Sequence, residues 1–560
     1  MLLNLRYFQG EAPRYGENQI AYNQASLARN TNLRNRNIKG WKDDAEVMTP
    51  SDAGVITFFK VLSTGVYLTS ENDVDAVFYP SGKTNDRLER LYLTGWGDVP
   101  QIAFHDEMVA ETTTLPAEAI RPLGIPAPDS VLLALVSDAG TGDEEDRYYV
   151  YTFVSDIGEE GPASDVSNLC ACSHDGTVQL SNIAVPPIEY TWITNVRIYR
   201  TLTTEAGATE FFFVAEIDAG LTTYADSVTD SDLVEPLYST DWLAPAEDMT
   251  GLIVTGMGSL AGFRDNEVCF SEPYYPHAWP EKYRYVFDAK VVGLGVYDTT
   301  VVVCTEEHPY LMSGSYPDEL TPVKLPYPQG CVSKRGIISM GSGVLYPSPD
   351  GIIQVAPDGS VQNITSGLLK RRDWQAMEPK TIRATFHDGF YLACYGTPND
   401  GGAGFIFDPS DADATFTRLS ACYTALAEAG IEDALYAISK DAEGNNRIVL
   451  VFGAECAFKT FTWKSADFLF EENHTMTAFK IIGRIIDECD QYDPPSYGPT
   501  PPIDGCTPCY LEEVQVFGTH AFLGAGPLTL STVPTDAAVY CEQPEFKAEC
   551  GPGCIFSCMD

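Results

Sequence analysis

The sequence predicts an all-β chain: an irregular β-propeller with an inserted Ig/fibronectin-III-like β-sandwich, an extended N-terminal arm and a Cys-rich C-terminal extension. Three observations predict it. Short aromatic and β-branched runs alternate with Gly, Asp and Pro turns, and the 30 Tyr, 27 Phe, 46 Gly and 37 Pro of the 560 residues supply both. From Leu252 onward a strand–turn–strand unit returns about every 40–50 residues, the spacing of propeller blades. Helical pattern is confined to LLKRRDWQAM (368–377) and YTALAEAG (423–430). No WD or kelch signature marks the repeats, so stacked sandwiches stand as the alternative.

Residues 1–45 read as an extended polar arm with Asn-rich turns. Within 1–42, seven basic residues (Arg6, Arg14, Arg29, Arg34, Arg36, Lys39, Lys42) face only Glu11 and Glu17, a balance of +5. A basic arm on an acidic body is expected to strap onto that body or onto a neighbouring subunit. Arg29, Arg34 and Arg36 are candidate subunit contacts. Removal of residues 1–42 is expected to leave a folded monomer.

Residues 46–128 form the first propeller segment, with VITFFKVL, GVYLTS, AVFYP and RLYLT as strands. LPAEAIRPLGIPAP (115–128) closes it and reads as a linker. Residues 129–240 form the sandwich. DAGTGDEED there, with five carboxylates between Asp138 and Asp146, reads as a solvated loop. RYYVYTFVSDIGEEGPAS and NVRIYRTLTTEAGATEFFFVAEIDAG supply strands at the turn spacing that suits a sandwich. Residues 241–483 hold the remaining blades. Residues 484–560 are a Cys/Pro-rich extension, expected to pack on the body or on another chain.

The formal net charge is −44, from 35 Lys and Arg against 79 Asp and Glu. Phosphate binding needs cations, so this balance weighs against a large surface that grips nucleic acid, but not against a surface that DNA slides past. The start, MLLNLRYFQGEAPRYGEN, lacks a signal-peptide pattern, and no apolar run is long enough to span a bilayer. Synthesis in the cytoplasm and no stable membrane insertion are expected.

Catalytic patterns are scarce. The seven His are scattered without HExxH spacing, and no nucleophile elbow or Walker loop stands out, so no cofactor and no catalytic residue are expected. SHDGTVQL (173–180) and SPDGIIQV (348–355) superficially resemble the Asp-box turn of sialidase propellers. Each Asp-Gly step is what a hairpin turn wants, so Asp175 and Asp350 are read as turn residues. Of the 15 Cys, seven crowd the C-terminal extension: Cys489, Cys506, Cys509, Cys541, Cys550, Cys554 and Cys558. With little core available there, disulfides are the expected staples. Zinc held by Cys506, Cys509, Cys550 and Cys554 is the alternative. The other eight Cys, as in VVVC (301–304) and YLACY (391–395), are expected to be mostly buried thiols.

CFSEPYYPHAWPEKYRY (269–285), VVGLGVYDTTVVVCTEEHPYLMSG and CVSKRGIISMGSGVLYPSPDGIIQV (331–355) occur in that order. Together they resemble a family of tail nozzle or hub proteins of short-tailed bacteriophages, a propeller type of tail tubular protein. RIYRTLTTEAGATEFFFVAEI and YSTDW before them, and FQGEAPRYGENQIAYNQASLARNTNL at the start, are similar to it too. The C-terminal extension departs from the family. The resemblance implies a non-enzymatic virion protein. It implies a homo-hexamer that rings the tail axis below the adaptor protein, carries fibre or spike proteins, and lets genomic DNA pass without tight binding. Tyr274, Tyr275 and Trp279 are read as packing that fixes a blade edge and as candidate subunit contacts. A receptor- or glycan-binding tail propeller, with depolymerase activity at the extreme, is the alternative.

Overall fold

The computed structural model describes residues 2–485 except 17, 51–53, 62–65, 80–89, 105–112, 117–118, 204–208, 399, 430–431, 454–456 and 467–475. Beyond 485 it describes the backbone of five strands, and side chains are described no further than 466.

Among the described residues, five four-stranded antiparallel sheets and a four-stranded antiparallel meander at the end of a nine-stranded sheet make the body, and five of these six units are simple meanders. Sheet A runs from Asp75–Phe78 through Arg90–Thr94 and Gln101–Phe104 to Ile120–Pro122. Sheets B, C, D and E begin at Thr250, Val291, Ile338 and Arg383, and sheet F at Ala425. These starts are 41, 47, 45 and 42 residues apart. Sheet F takes three strands from 425–450 and its fourth, Ala45–Met48, from the beginning of the chain. A hairpin, Thr57–Val61 with Val66–Ser70, stands between sheets F and A.

The strand sequences explain why the sheets stack. In VVVC, Val301 and Val303 join a core with sheet B, while Val302 and Cys304 join one with sheet D. In YLACY, Tyr391 and Ala393 pack toward sheet D, and Leu392 and Cys394 toward sheet F. A strand buried on both faces needs no polar alternation, which is why these runs read as continuously apolar. The same arrangement gives a core between A and B, another between F and the hairpin, and a third between the hairpin and A. Tight turns need left-handed residues: Asp388 and Gly389, at φ 49° and 82°, make the two-residue turn that joins the first two strands of sheet E.

Residues 133–226 leave the body after sheet A and return before sheet B. They form Leu133–Asp138, Thr177–Ser181 and Thr223–Asp226 as one sheet and Tyr149–Ser155, Ile193–Thr203 and Thr209–Asp218 as another. A two-stranded ribbon, Glu144–Arg147 with Cys170–Ser173, completes the module, and one apolar core serves all three pieces.

Several local expectations need correction. YTALAEAG is not a helix: Ala425–Ala429 is the first strand of sheet F, because Ala425 and Ala429 fill a core against Phe58. LPAEAIRPLGIPAP is not a free linker, since Ile120–Pro122 is the edge strand of sheet A and Leu115, Leu123 and Ile125 are buried. The last three residues of DAGTGDEED are strand, in Glu144–Arg147. Residues 1–45 are no loose arm. Gln24–Arg29 pairs with Gln9–Glu11, with Thr462–Ser465 and, at Arg29, with Arg418 of sheet E. Leu5, Phe8, Ala25, Ala28, Leu33 and Ile38 are core residues, so deleting 1–42 would remove part of the fold rather than an appendage. The short helix in 368–377 is present as Arg371–Gln375.

Candidate functional site

Two of the three segments that carry the resemblance, VSKRGI and SEPYYPHAWP, lie at joints of the body, and the third forms strands of sheet C. VSKRGI supplies Lys334 and Arg335 on a single helical turn ahead of sheet D. Lys334 Nζ stands 2.7 Å from Asp73 Oδ2 and 2.9 Å from Asp75 Oδ2. Arg335 Nη1 lies 3.0 Å from Asp75 Oδ1, and its Nη2 donates to the Val74 carbonyl at 2.6 Å. Thr250 Oγ1 and the Gly251 amide also donate to Asp75, at 3.2 and 2.8 Å. Burial alone would raise the Asp73 pKa, but the two cations outweigh it and hold the carboxyl below its ordinary value. The cluster therefore ties sheet A to the start of sheets B and D. Beside it, a cavity of about 290 Å³ is lined by Phe58, Lys60, Arg335, Arg383 and Glu428.

SEPYYPHAWP binds the inserted module to the body. His277 is buried, and its Nε2 lies 3.1 Å from the Glu160 carbonyl oxygen. Glu160 and its neighbour Glu159 come from the GEEGPAS turn of the module. Glu159 pairs with Arg90 of sheet A at 3.2 Å, both side chains nearly shut off from solvent. Glu160 accepts from Tyr199 Oη at 2.6 Å and from Arg197 Nη1 at 3.0 Å. A charged latch thus crosses from sheet A through the module to the loop after sheet B's third strand.

The expected contact residues divide. Trp279 is 1% exposed and donates from Nε1 to the Pro276 carbonyl, so it packs the A–B core and is out of reach of a neighbouring subunit. Tyr274 and Tyr275 are 61% and 43% exposed, and Tyr275 lies against Trp242 with ring centroids 4.5 Å apart. Arg34 pairs with Asp388 at 2.6 Å and lies over the Phe390 ring, and Arg36 pairs with Asp411. Both arginines strap the N-terminal segment to its own body. Arg29 is exposed. Asp350 sits in a hairpin turn and takes a hydrogen bond from Gln329, whereas Asp175 is a turn residue but not of a hairpin: its turn joins strands of two different sheets, and it accepts from Thr141 and Ser173.

Among the described residues, no group of three or more His, Cys, Asp or Glu is placed to hold a metal ion, and no helix is long and apolar enough to cross a membrane. Cys489, Cys506, Cys541 and Cys558 lie outside the described residues, and of Cys509, Cys550 and Cys554 only the backbone is described, with Cys550 opposite Cys554 in a two-stranded ribbon. Six of the seven described thiols are buried: Cys170, Cys172, Cys269, Cys304, Cys331 and Cys394; Cys422 is half-buried.

The buried ions belong to no sequence motif. Arg200 and Asp226 pair at 2.8 Å with no exposure at all, and Tyr149 Oη donates to the same carboxylate at 2.8 Å. The signal was an Arg inside an otherwise apolar strand, as in RIYR and RLYLT, since a charge there demands a buried partner.

No protein-family model matches the chain, and no curated protein does. Among solved structures, BBS1N in complex with ARL6DN overlaps 75% of this chain and 99% of that one, at 10% identity and a TM-score of 0.29. PorZ of the type-IX secretion system of Porphyromonas gingivalis overlaps 77% of this chain and 44% of that one, at 9% and 0.29. The WD40 domain of Toxoplasma gondii coronin overlaps 75% and 87%, at 9% and 0.27. Overlaps at these scores assign neither family nor function.

Proposed function

We propose that this chain is a non-enzymatic structural protein of a virus particle: the nozzle or hub of a short bacteriophage tail. In this reading it is made in the bacterial host cytoplasm and resides in the virion tail. Copies form a ring, a homo-hexamer, that docks the adaptor above and fibres or spikes outside, and DNA leaves through the space between them. Each body is an irregular β-propeller, with the 57–70 hairpin as an incomplete blade, and the inserted module is an Ig/fibronectin-III-like sandwich. The unbroken series of cores between neighbouring sheets supports the propeller.

One observation carries the functional reading. The residues that give the chain its resemblance to tail proteins are spent on rigidity: Lys334 and Arg335 lock sheets together, and His277 and Trp279 seat the module. A part that must hold its shape while a charged polymer passes needs such joints, and an acidic surface does not retain that polymer. Peptide mass spectrometry of purified particles whose genome encodes the chain tests this. The chain is expected in tails at half the portal's copy number; its absence from particles would overturn the reading.

A second reading, a receptor- or glycan-binding tail propeller, is favoured by the exposed Tyr274 and Tyr275 beside Trp242, an aromatic surface of the kind sugars stack on. It predicts that the free chain binds host cells and that replacing both tyrosines by Ala abolishes that binding. A chain that acts only as a nozzle binds no cells.

A further inference from the structure

Two thiols from separate strands meet at the junction of sheets E and F. Cys394 lies in Phe390–Thr397, and Cys422 follows Thr417–Leu419. Gly404 lies between their strands: it pairs with Cys394 on one side and with Leu419 on the other, and two residues before it an added Cβ on Gly402 would stand 2.8 Å from Cys422 Sγ. The Tyr423 amide donates to Cys394 Sγ at 3.2 Å, and Cys422 Sγ lies 3.5 Å from the Tyr395 carbonyl. Each sulfur thus lies against the backbone of the residue that follows the other cysteine. Arg383 Nη2 points at Cys422 Sγ from 3.5 Å, while its other nitrogens are held by the carbonyls of Tyr423 and Thr381. Cys422 is half-buried, whereas Cys394 is fully buried.

We propose that Cys394 and Cys422 form a reversible disulfide by exchange with a low-molecular-weight disulfide, Cys422 being the attacking thiol and Cys394 the resolving one. The division of labour follows from position. A thiolate attacks, a cation beside it favours the thiolate, and the attacker must be reachable. The neighbouring Cys394 thiol and the Arg383 guanidinium bring the Cys422 thiol down to about 7, while burial holds Cys394 well up. In the first step the Cys422 thiolate attacks one sulfur of the small disulfide and one thiolate leaves. In the second, Cys394 gives up its proton to that thiolate and attacks Cys422 Sγ, releasing the second. Two electrons pass from the protein thiols to the small disulfide, and two small thiols result. The bond would fasten sheet E to the start of sheet F, staying open in a reducing cytosol and closing outside it. This inference does not rest on the tail reading.

The test treats the reduced full-length chain with glutathione disulfide, quenches with acid at intervals, alkylates the remaining thiols and maps the peptides by mass. The expected product is a 394–422 linked peptide two hydrogens lighter than the reduced pair. Cys422 is expected to react about tenfold or more faster than Cys304 or Cys331. Cys394→Ala should arrest as a glutathione adduct on Cys422, and Cys422→Ser should leave Cys394 unmodified. Should a variant misfold, the wild-type chain decides alone. Separately alkylated Cys394 and Cys422 peptides from a folded, glutathione-treated chain would overturn the proposal.

Discussion

Arg200 and Asp226 pair at 2.8 Å in the middle of the inserted module, with neither side chain reached by solvent. Asp226 also accepts a hydrogen bond from the Tyr149 hydroxyl, and Arg200 reaches on to Asp230 at 2.6 Å. Taking two charges out of water is costly, so the pair is worth little against an apolar replacement, but breaking it strands a buried cation. Asp226→Ala is expected to destabilise the module by roughly 3–5 kcal/mol, toward the lower figure because Asp230 remains. Hydrogen exchange in 149–155 and 193–203 would report it. Unchanged protection there would mean that Asp230 alone suffices.

The latch between Arg90 and Glu159 predicts how the module comes loose. Glu159→Ala leaves Arg90 buried without that partner, and His277 without the carboxylate 3.8 Å away. The expected result is an early thermal transition of the module and protease cleavage at its connections to the body. Glu216→Ala breaks an ion pair with Arg197 that is about one-third exposed on both sides and should change stability by less than about 1 kcal/mol. Equal sensitivity of the two variants would contradict the latch.

His387 links sheets E and F in a pH-dependent way. Its Nδ1 stands 3.6 Å from the Glu428 carboxylate, which raises the imidazole above its ordinary 6.5 despite partial burial. A raised pKa means that the folded chain binds the proton more tightly than the unfolded one. The stabilisation is therefore complete below 6.5 and is lost as pH rises through the folded value. The wild type should gain more melting temperature between about pH 8 and about pH 6 than His387→Gln does. A gain of equal size in both would remove His387 as the source.

What could be read from the sequence follows from how local each interaction is. Strands joined by tight turns announce themselves, as at Asp388-Gly389, and the 41–47-residue spacing of the sheets stands in the chain as a repeat. Ala425–Ala429 was hidden because alanine favours helices, and only the crowding of Phe58 and Ile438 makes small strand residues the better choice. Pro122 disguised an edge strand, the one place in a sheet where a missing amide costs little. Lys334 with Asp75, and Cys394 with Cys422, bring together residues that nothing in the local pattern connects.

The N-terminal strap offers the sharpest test of how the body holds together. An added Cβ on Gly10 would stand 2.4 Å from the Phe416 carbonyl oxygen and 2.6 Å from its nitrogen, both backbone atoms that cannot swing aside. Next to it, the Glu11 amide donates to the Phe416 carbonyl at 2.8 Å, and the buried Glu11 carboxylate pairs with Arg418 at 2.7 Å. Phe8 meets Trp463 edge-on at 5.0 Å, and neither ring is exposed. Gly10→Ala should therefore cost about 1–3 kcal/mol by pushing the strap away from sheet E, and protease should then cut within residues 12–23. Removing residues 1–42 goes further, since it uncovers Trp463 and deletes the strand between sheet E and Thr462–Ser465. The truncated chain is expected to lose its cooperative melt and to aggregate. A soluble truncation that melts like the full chain would show that the strap covers a body already complete without it.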